Sequence, residues 1–160
     1  MTQAPEVLSE TLRDEAATEH FGAALAQRLL DAHDGCALVF LSGDLGAGKT
    51  TMVRGMLRHL GHTGAVKSPT YTLLEPYTLS GQDAYHFDLY RVADPQELAF
   101  VGFEEILDGP GLKFIEWPER ASGWLPAPDV TVAIAVRASD EADEFVRDVH
   151  VEFHAKIHAK

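Results

Sequence analysis

The chain has 160 residues, 46% of them hydrophobic, with a single cysteine and a formal net charge of −12. This is the size of one ordinary domain, with enough apolar matter for a core that needs no disulfides. The lone Cys36 excludes an internal disulfide and a cysteine-based zinc site, and the excess of acids excludes a surface built mainly to neutralise nucleic-acid phosphates. A local basic patch stays compatible with these numbers, and RNA would be reached through a partner. The N-terminus carries Glu6, Glu10, Asp14 and Glu15 without an apolar signal-peptide core. No stretch approaches the roughly 20 apolar residues of a membrane span, so a soluble, cytoplasmic protein is expected.

Residues 14–33 read as an amphipathic helix, with Phe21, Leu25 and Leu29 at helical spacing and Gly35 as its stop. Cys36 to Leu41 is a short continuous apolar run, the pattern of a strand buried on both faces, with Cys36 expected as a small core residue. A glycine-rich turn follows, and Thr51 to Leu60 reads as a helix with Val53, Met56, Leu57 and Leu60 on one side and Gly61 at its end. Residues 70–79 read as extended, with Pro76 marking an edge or a break. Ala84 to Tyr90 alternates Tyr85, Phe87 and Leu89 against His86 and Asp88, as a strand would. Pro95 opens a short helix through Ile106. Leu112 to Trp117 is an apolar strand with Glu116 near its end, and Val130 to Val136 and Phe145 to Phe153 are late strands, the last one alternating. The expected class is α/β, with a central, mostly parallel sheet, antiparallel edge strands and flanking helices. No repeat or linker divides residues 1–160, so a single domain is expected.

The motif that carries chemistry is Gly43-Asp44-Leu45-Gly46-Ala47-Gly48-Lys49-Thr50, a complete phosphate-loop pattern between a buried strand and a helix. Glycines let the main chain approach phosphates closely, consecutive N–H groups form an anion nest, and the following helix turns its positive end to the same anion. Lys49 is expected at the β- and γ-phosphates and Thr50 at Mg²⁺. The chain contains no Asn, so it cannot carry the Asn-Lys-x-Asp motif that reads guanine. Asp108 to Gly111 matches a D-x-x-G pattern, but it precedes a strand and contains Pro110, so it reads as a turn. ATP is favoured over GTP.

A Mg-nucleotide site needs a carboxylate near the metal, normally at the end of a strand beside the loop. Asp88 and Glu116 are the two candidates, and either residue alone could equally be a solvated strand cap. Lys67-Ser68-Pro69-Thr70-Tyr71-Thr72 follows the loop helix and reads either as a switch segment with hydroxyls facing the metal or γ-phosphate, or as a strand entry shaped by Pro69. Trp117 follows Glu116 directly. Of the eight histidines only His86 falls near these groups; the pairs His59 with His62 and His154 with His158 read as solvent-facing.

The motifs GDLGAGKTT, VKSPTYTL, YHFDLYR and IEWPER, in this order and over residues 14–136, resemble those of the TsaE family, the ATPase subunit of bacterial tRNA threonylcarbamoyladenosine biosynthesis. The resemblance implies a P-loop fold that hydrolyses Mg-ATP weakly alone. It also implies work alongside a heterodimer of two related proteins of the TsaB–TsaD type, which themselves transfer threonylcarbamoyl to tRNA, with hydrolysis resetting the complex. Carried over by motif, Gly43 to Thr51 hold the phosphates, Thr50 and Glu116 hold Mg²⁺, Asp88 is the Walker-B-like acid, and Thr70 lies in the switch segment. Trp117 lies at the rim, and the stretch near Thr11 to Glu15 flanks the base. Lys49, Asp88 and Glu116 are the implied catalytic groups, with the choice between Asp88 and Glu116 for orienting water left open. Residues 137–160 fall outside the resemblance as a terminal strand and tail. A small-molecule P-loop kinase and a non-hydrolysing nucleotide sensor are the competing classes.

Overall fold

The computed structural model describes residues 6–66, 68–141 and 144–154. Seven strands form one sheet: β1 (Glu6–Leu12), β2 (Ala37–Ser42), β3 (Leu74–Leu79), β4 (Gln82–Asp88), β5 (Leu112–Glu116), β6 (Val130–Ala138) and β7 (Phe145–Phe153). Their order is β1-β7-β6-β2-β5-β4-β3. The four central strands, β6, β2, β5 and β4, run parallel. β7 and β1 continue the sheet antiparallel on one flank and β3 does so on the other. The expected architecture is the one observed, and Pro76 lies on the edge strand β3, where its missing N–H costs no ladder bond.

The central strands are apolar on both sides because both sides are covered. Val39, Leu41, Leu112, Phe114, Val132 and Val151 face helices α1 (Glu15–His33) and α2 (Lys49–His59). Leu38, Phe87 and Ile115 face the opposite layer, built from the 3₁₀ segments Pro95–Val101 and Pro118–Ala121 and from α3 (Phe103–Asp108). Asp14 starts α1 by accepting a hydrogen bond from the Ala17 N–H at 2.7 Å, and Asp34, in the left-handed region, closes it ahead of Gly35. The two helices pack closely because Gly22 and Gly55 leave room for the opposing main chain: a Cβ on Gly55 would lie 2.1 Å from the Glu19 carbonyl oxygen.

Three local expectations need correction, and one strand lies where no element is expected. Cys36 is exposed, because the strand starts one residue later. The Pro95–Ile106 helix is two pieces, a 3₁₀ segment and α3, separated by Gly102 at φ 69°. Of the extended stretch 70–79, only Leu74 onward is strand; residues 70–73 form a turn. β1 is a strand that the periodicity of its sequence does not reveal, since five of its seven residues are exposed and its pairing with β7 holds it in place. Lys67 and His158 lie outside the described residues.

Candidate functional site

The site starts where β2 ends. The chain leaves the buried strand at Ser42, turns through Gly43–Gly48, and enters α2 at Lys49. Gly48, the residue before the helix, sits at φ 111°, a conformation open to glycine and strained for any other residue. The loop amides and the first turn of α2 therefore border the same space, the arrangement that binds anions. Leu45, Gly46, Ala47, Gly48, Lys49, Thr50, Thr51, Thr70, Asp88, Glu116 and Trp117 all line one cleft of about 430 Å³. Gly43 and Asp44 do not line it. They hold the loop from behind, with the Gly43 carbonyl accepting from Lys49 Nζ at 2.5 Å and the Asp44 carbonyl accepting from the Ala47 N–H at 3.0 Å.

The two strand-end acids become neighbours through sheet register. β4 and β5 are parallel, and Asp88 pairs directly with Glu116. Alternation turns both side chains to the face that carries α2. Both are nearly inaccessible to solvent, Asp88 at 4% and Glu116 at 3%. Glu116 accepts from Thr50 Oγ1 at 3.0 and 3.2 Å and lies 2.5 Å from His86 Nε2. His86 is fully buried beneath it, and its Nδ1 has no partner among the described residues. Asp88 accepts from Ser68 Oγ at 2.5 Å, from Thr70 Oγ1 at 3.4 Å and from the Tyr90 N–H at 3.0 Å. The segment after α2 thus lays two hydroxyls on one acid, while α2 itself lays one on the other.

Lys49 is 4% exposed, and its ammonium stands 3.7 Å from the centre of the Trp117 ring. Burial lowers its pKa from the ordinary 10.5, and the nearby carboxylates of Glu116, Asp88, Glu119 and Asp44 oppose that shift. Trp117 takes a left-handed backbone (φ 58°, ψ 50°), uncommon for a bulky side chain, and this turn directly after Glu116 brings its ring across the cleft. Tyr90 packs against it with ring centres 4.9 Å apart.

Four further residues line the cleft: Ser68, from the segment already singled out, and Tyr90, Arg91 and Arg147. Tyr90 and Arg91 follow Asp88 in the sequence, so their proximity to that acid was available to reading. Arg147 comes from β7, and nothing in its local sequence marks it. The stretch Thr11 to Glu15 does not line this cleft; Thr11 Oγ1 donates to Asp148 and Glu15 pairs with Arg54. Thr72 points elsewhere. Asp108 to Gly111 lies at the opposite end of the strands, where the Gly111 carbonyl accepts from the Ala37 N–H. His59 meets Gln27 Oε1 at 2.8 Å and is exposed; His62 stacks edge-on to Tyr77, and half-buried His154 lies 3.1 Å from Thr131 Oγ1. Among the described residues no helix is long and apolar enough to cross a membrane.

Residues 12–146 match the family model described as threonylcarbamoyl adenosine biosynthesis protein TsaE. A curated protein of that name from Haemophilus influenzae is 48% identical over 130 residues, covering 81% of this chain and 82% of its own length. Its namesake from Nostoc sp. is 40% identical over 113 residues, 68% of this chain and 67% of its own. The crystal structure of Bacillus subtilis YdiB superposes with a TM-score of 0.71 at 25% identity, covering 96% of this chain and 90% of that one.

Proposed function

The chain belongs to the TsaE family of threonylcarbamoyl adenosine biosynthesis proteins, and from that premise we propose that it is a single-domain cytoplasmic ATPase. In this reading it binds Mg-ATP in the cleft above β2 and hydrolyses it in support of tRNA modification by a partner complex of the TsaB–TsaD type, with tRNA reached through those partners. The observation that carries the reading is the meeting of Thr50 and Glu116 beside a glycine-rich loop at the start of α2 and one buried ammonium.

Oxygen donors alone, the Thr50 hydroxyl and the buried carboxylates of Glu116 and Asp88, suit a hard divalent cation such as Mg²⁺. Bound there, Mg²⁺ would neutralise charge on the β- and γ-phosphates. The chain's own residues supply the rest. The amides from Leu45 to Thr51 other than that of Ala47, which is held by the Asp44 carbonyl, cradle the phosphates. Lys49 exchanges the Gly43 carbonyl and the Trp117 face for phosphate oxygens. Ser68 and Thr70, already resting on Asp88, are within reach of the γ-phosphate side of the cleft. One of the two acids orients water for in-line attack, and Asp88 and Glu116 both qualify. Phosphoryl transfer asks mainly for position and charge. A cation added by a docked partner raises such rates by orders of magnitude, so hydrolysis by the chain alone is expected to be weak.

Phosphate release from ATP, measured with and without the purified tRNA-modifying partners, tests this. Strong stimulation is expected. Tight binding without release beside the partners would make the protein a nucleotide sensor, and phosphate appearing on an added metabolite would make it a kinase.

A further inference from the structure

We propose, building on the nucleotide-site reading above, that Arg147 is a binding residue for the nucleotide's phosphate chain, at the end of the cleft away from Asp88 and Glu116. It lies one residue beyond the stretch matched by the family model.

The arginines of the chain separate it from the others. Among the described residues, Arg13, Arg28, Arg54, Arg58 and Arg137 each pair with a carboxylate. Arg91 and Arg120 lie over aromatic rings. Arg147 has neither kind of partner among the described residues. Its Nε–H donates to the Ala47 carbonyl at 2.7 Å, and its remaining N–H groups meet no acceptor among the described residues. In a chain of net charge −12, where carboxylates are plentiful, a half-buried guanidinium lining a cleft without one is matched to an anion that arrives from outside.

The position is built into the sheet. β7 lies between β1 and β6, and Arg147 stands in register with Leu12 on one side and Val136 on the other. Alternation places it on the same face as the buried Val149 and Val151, the face that carries α2 and the phosphate loop. The side chain crosses the loop at Gly48. A Cβ there would stand 3.0 Å from Arg147 Nε and 3.2 Å from its Cδ, so the space that glycine leaves open is taken by the arginine. A binding group fixed on a strand paired on both sides in this way needs little ordering when the ligand arrives.

Sheet order decides which end of the nucleotide it meets. β7 and β6 lie on one side of β2, while β5 and β4, which carry Glu116 and Asp88, lie on the other. The acids and Thr50 define the β,γ end of the triphosphate. Arg147 accordingly meets the α end, which ADP and ATP share. The fork of the guanidinium suits two oxygens of one phosphate.

Affinities of the full chain for Mg-ATP and Mg-ADP, measured calorimetrically for the wild type, Arg147→Gln and Arg147→Lys, test this, with thermal melts as the folding control. Glutamine can still donate an N–H to the Ala47 carbonyl but carries no charge. It is expected to weaken ATP and ADP equally, by about ten- to a hundredfold, the scale of a lost hydrogen bond to a charged group, with an unchanged melting temperature. Lysine is expected to recover part of the loss. Wild-type affinity for both nucleotides in Arg147→Gln would overturn the proposal and leave Arg147 as a strut for the loop. So would a loss confined to ATP, since the contact would then be at the γ end. A wild-type chain that binds neither nucleotide would instead overturn the reading of the cleft itself.

Discussion

The Thr50 hydroxyl lies within 3.2 Å of both carboxylate oxygens of Glu116, a residue 66 positions further along the chain. α2 and β5 meet at this contact, and His86 Nε2 approaches the same carboxylate from below at 2.5 Å. Glu116 is therefore held in a fixed orientation by its neighbours. A carboxylate so buried would ordinarily carry a large desolvation cost, and these partners offset part of it. The proposed Mg²⁺ would offset more of it.

Glu116→Gln tests that assignment, because the amide preserves shape and contact while removing the charge. Nucleotide affinity without Mg²⁺ is expected to stay within about threefold of wild type, and the tightening on adding Mg²⁺ is expected to disappear. Partner-stimulated hydrolysis is expected to fall about a hundredfold or more, the range for removing one preorganised electrostatic group. Full Mg²⁺ dependence in the variant would remove Glu116 from the metal's surroundings.

Lys49→Ala separates binding from folding. The ammonium is buried and its pKa is lowered by that burial, so charging it costs the folded protein something. Between the lowered folded value and the ordinary 10.5, the unfolded chain holds more protons at this site than the folded one. This group's contribution to stability therefore rises with pH across that window. Removing it is expected to abolish nucleotide binding, leave the melting temperature of the free protein equal or higher, and flatten the alkaline pH dependence of stability. Nucleotide affinity of the wild type is expected to decline as pH rises toward the lowered value. A large drop in the melting temperature of Lys49→Ala at neutral pH would show the lysine to be a structural member of the loop.

Much of this site is legible along the chain because its central part is contiguous. Gly43 to Thr50 is a local geometric device, and the buried strand before it and the helix after it are local too. Asp88 and Glu116 can be found as strand-end acids, but their pairing is not legible, since it depends on the register of β4 against β5, which no stretch of sequence carries alone. The Ser68–Asp88 contact and the reach of Arg147 to Ala47 are tertiary in the same sense. β1 escapes reading for a different reason. Its exposed positions give no apolar row, and its order comes from pairing with β7. Cys36 shows the limit at element ends, where one residue of offset moves a side chain from the core to the surface.

Trp117 offers an optical readout. Its ring centre lies 3.7 Å from the Lys49 ammonium, and nucleotide binding is expected to draw that ammonium onto phosphate. The other tryptophan, Trp124, is 51% exposed and does not line the cleft. In a Trp124→Phe background, emission from Trp117 is expected to change saturably with Mg-ADP or Mg-ATP. The change should be absent in the same background carrying Lys49→Ala. A nucleotide-independent signal would mean that the Lys49–Trp117 contact persists in the bound state.

Gly55→Ala tests how strongly the phosphate-loop helix depends on its neighbour. Gly55 lies in the middle of α2 with helical backbone, where glycine is intrinsically unfavourable by about 1 kcal/mol relative to alanine. Propensity alone therefore predicts stabilisation. Packing predicts the reverse, because the new Cβ would stand 2.1 Å from the Glu19 carbonyl oxygen and 2.7 Å from its carbonyl carbon, both main-chain atoms that no rotamer change can move. α1 would have to shift, and with it the Arg54–Glu19 and Arg58–Glu19 pairs that lie over the same crossing. A clash this close to main-chain atoms belongs at the upper end of the overpacking range, about 3 kcal/mol, so the net change is expected to be a loss of about 2 kcal/mol in denaturant unfolding once the propensity gain is subtracted. Since α2 begins at Lys49 and supplies Thr50 and Thr51 to the cleft, nucleotide affinity is expected to fall in parallel. A variant of equal or greater stability would show that the helices separate easily, and that their close approach contributes little to holding the loop.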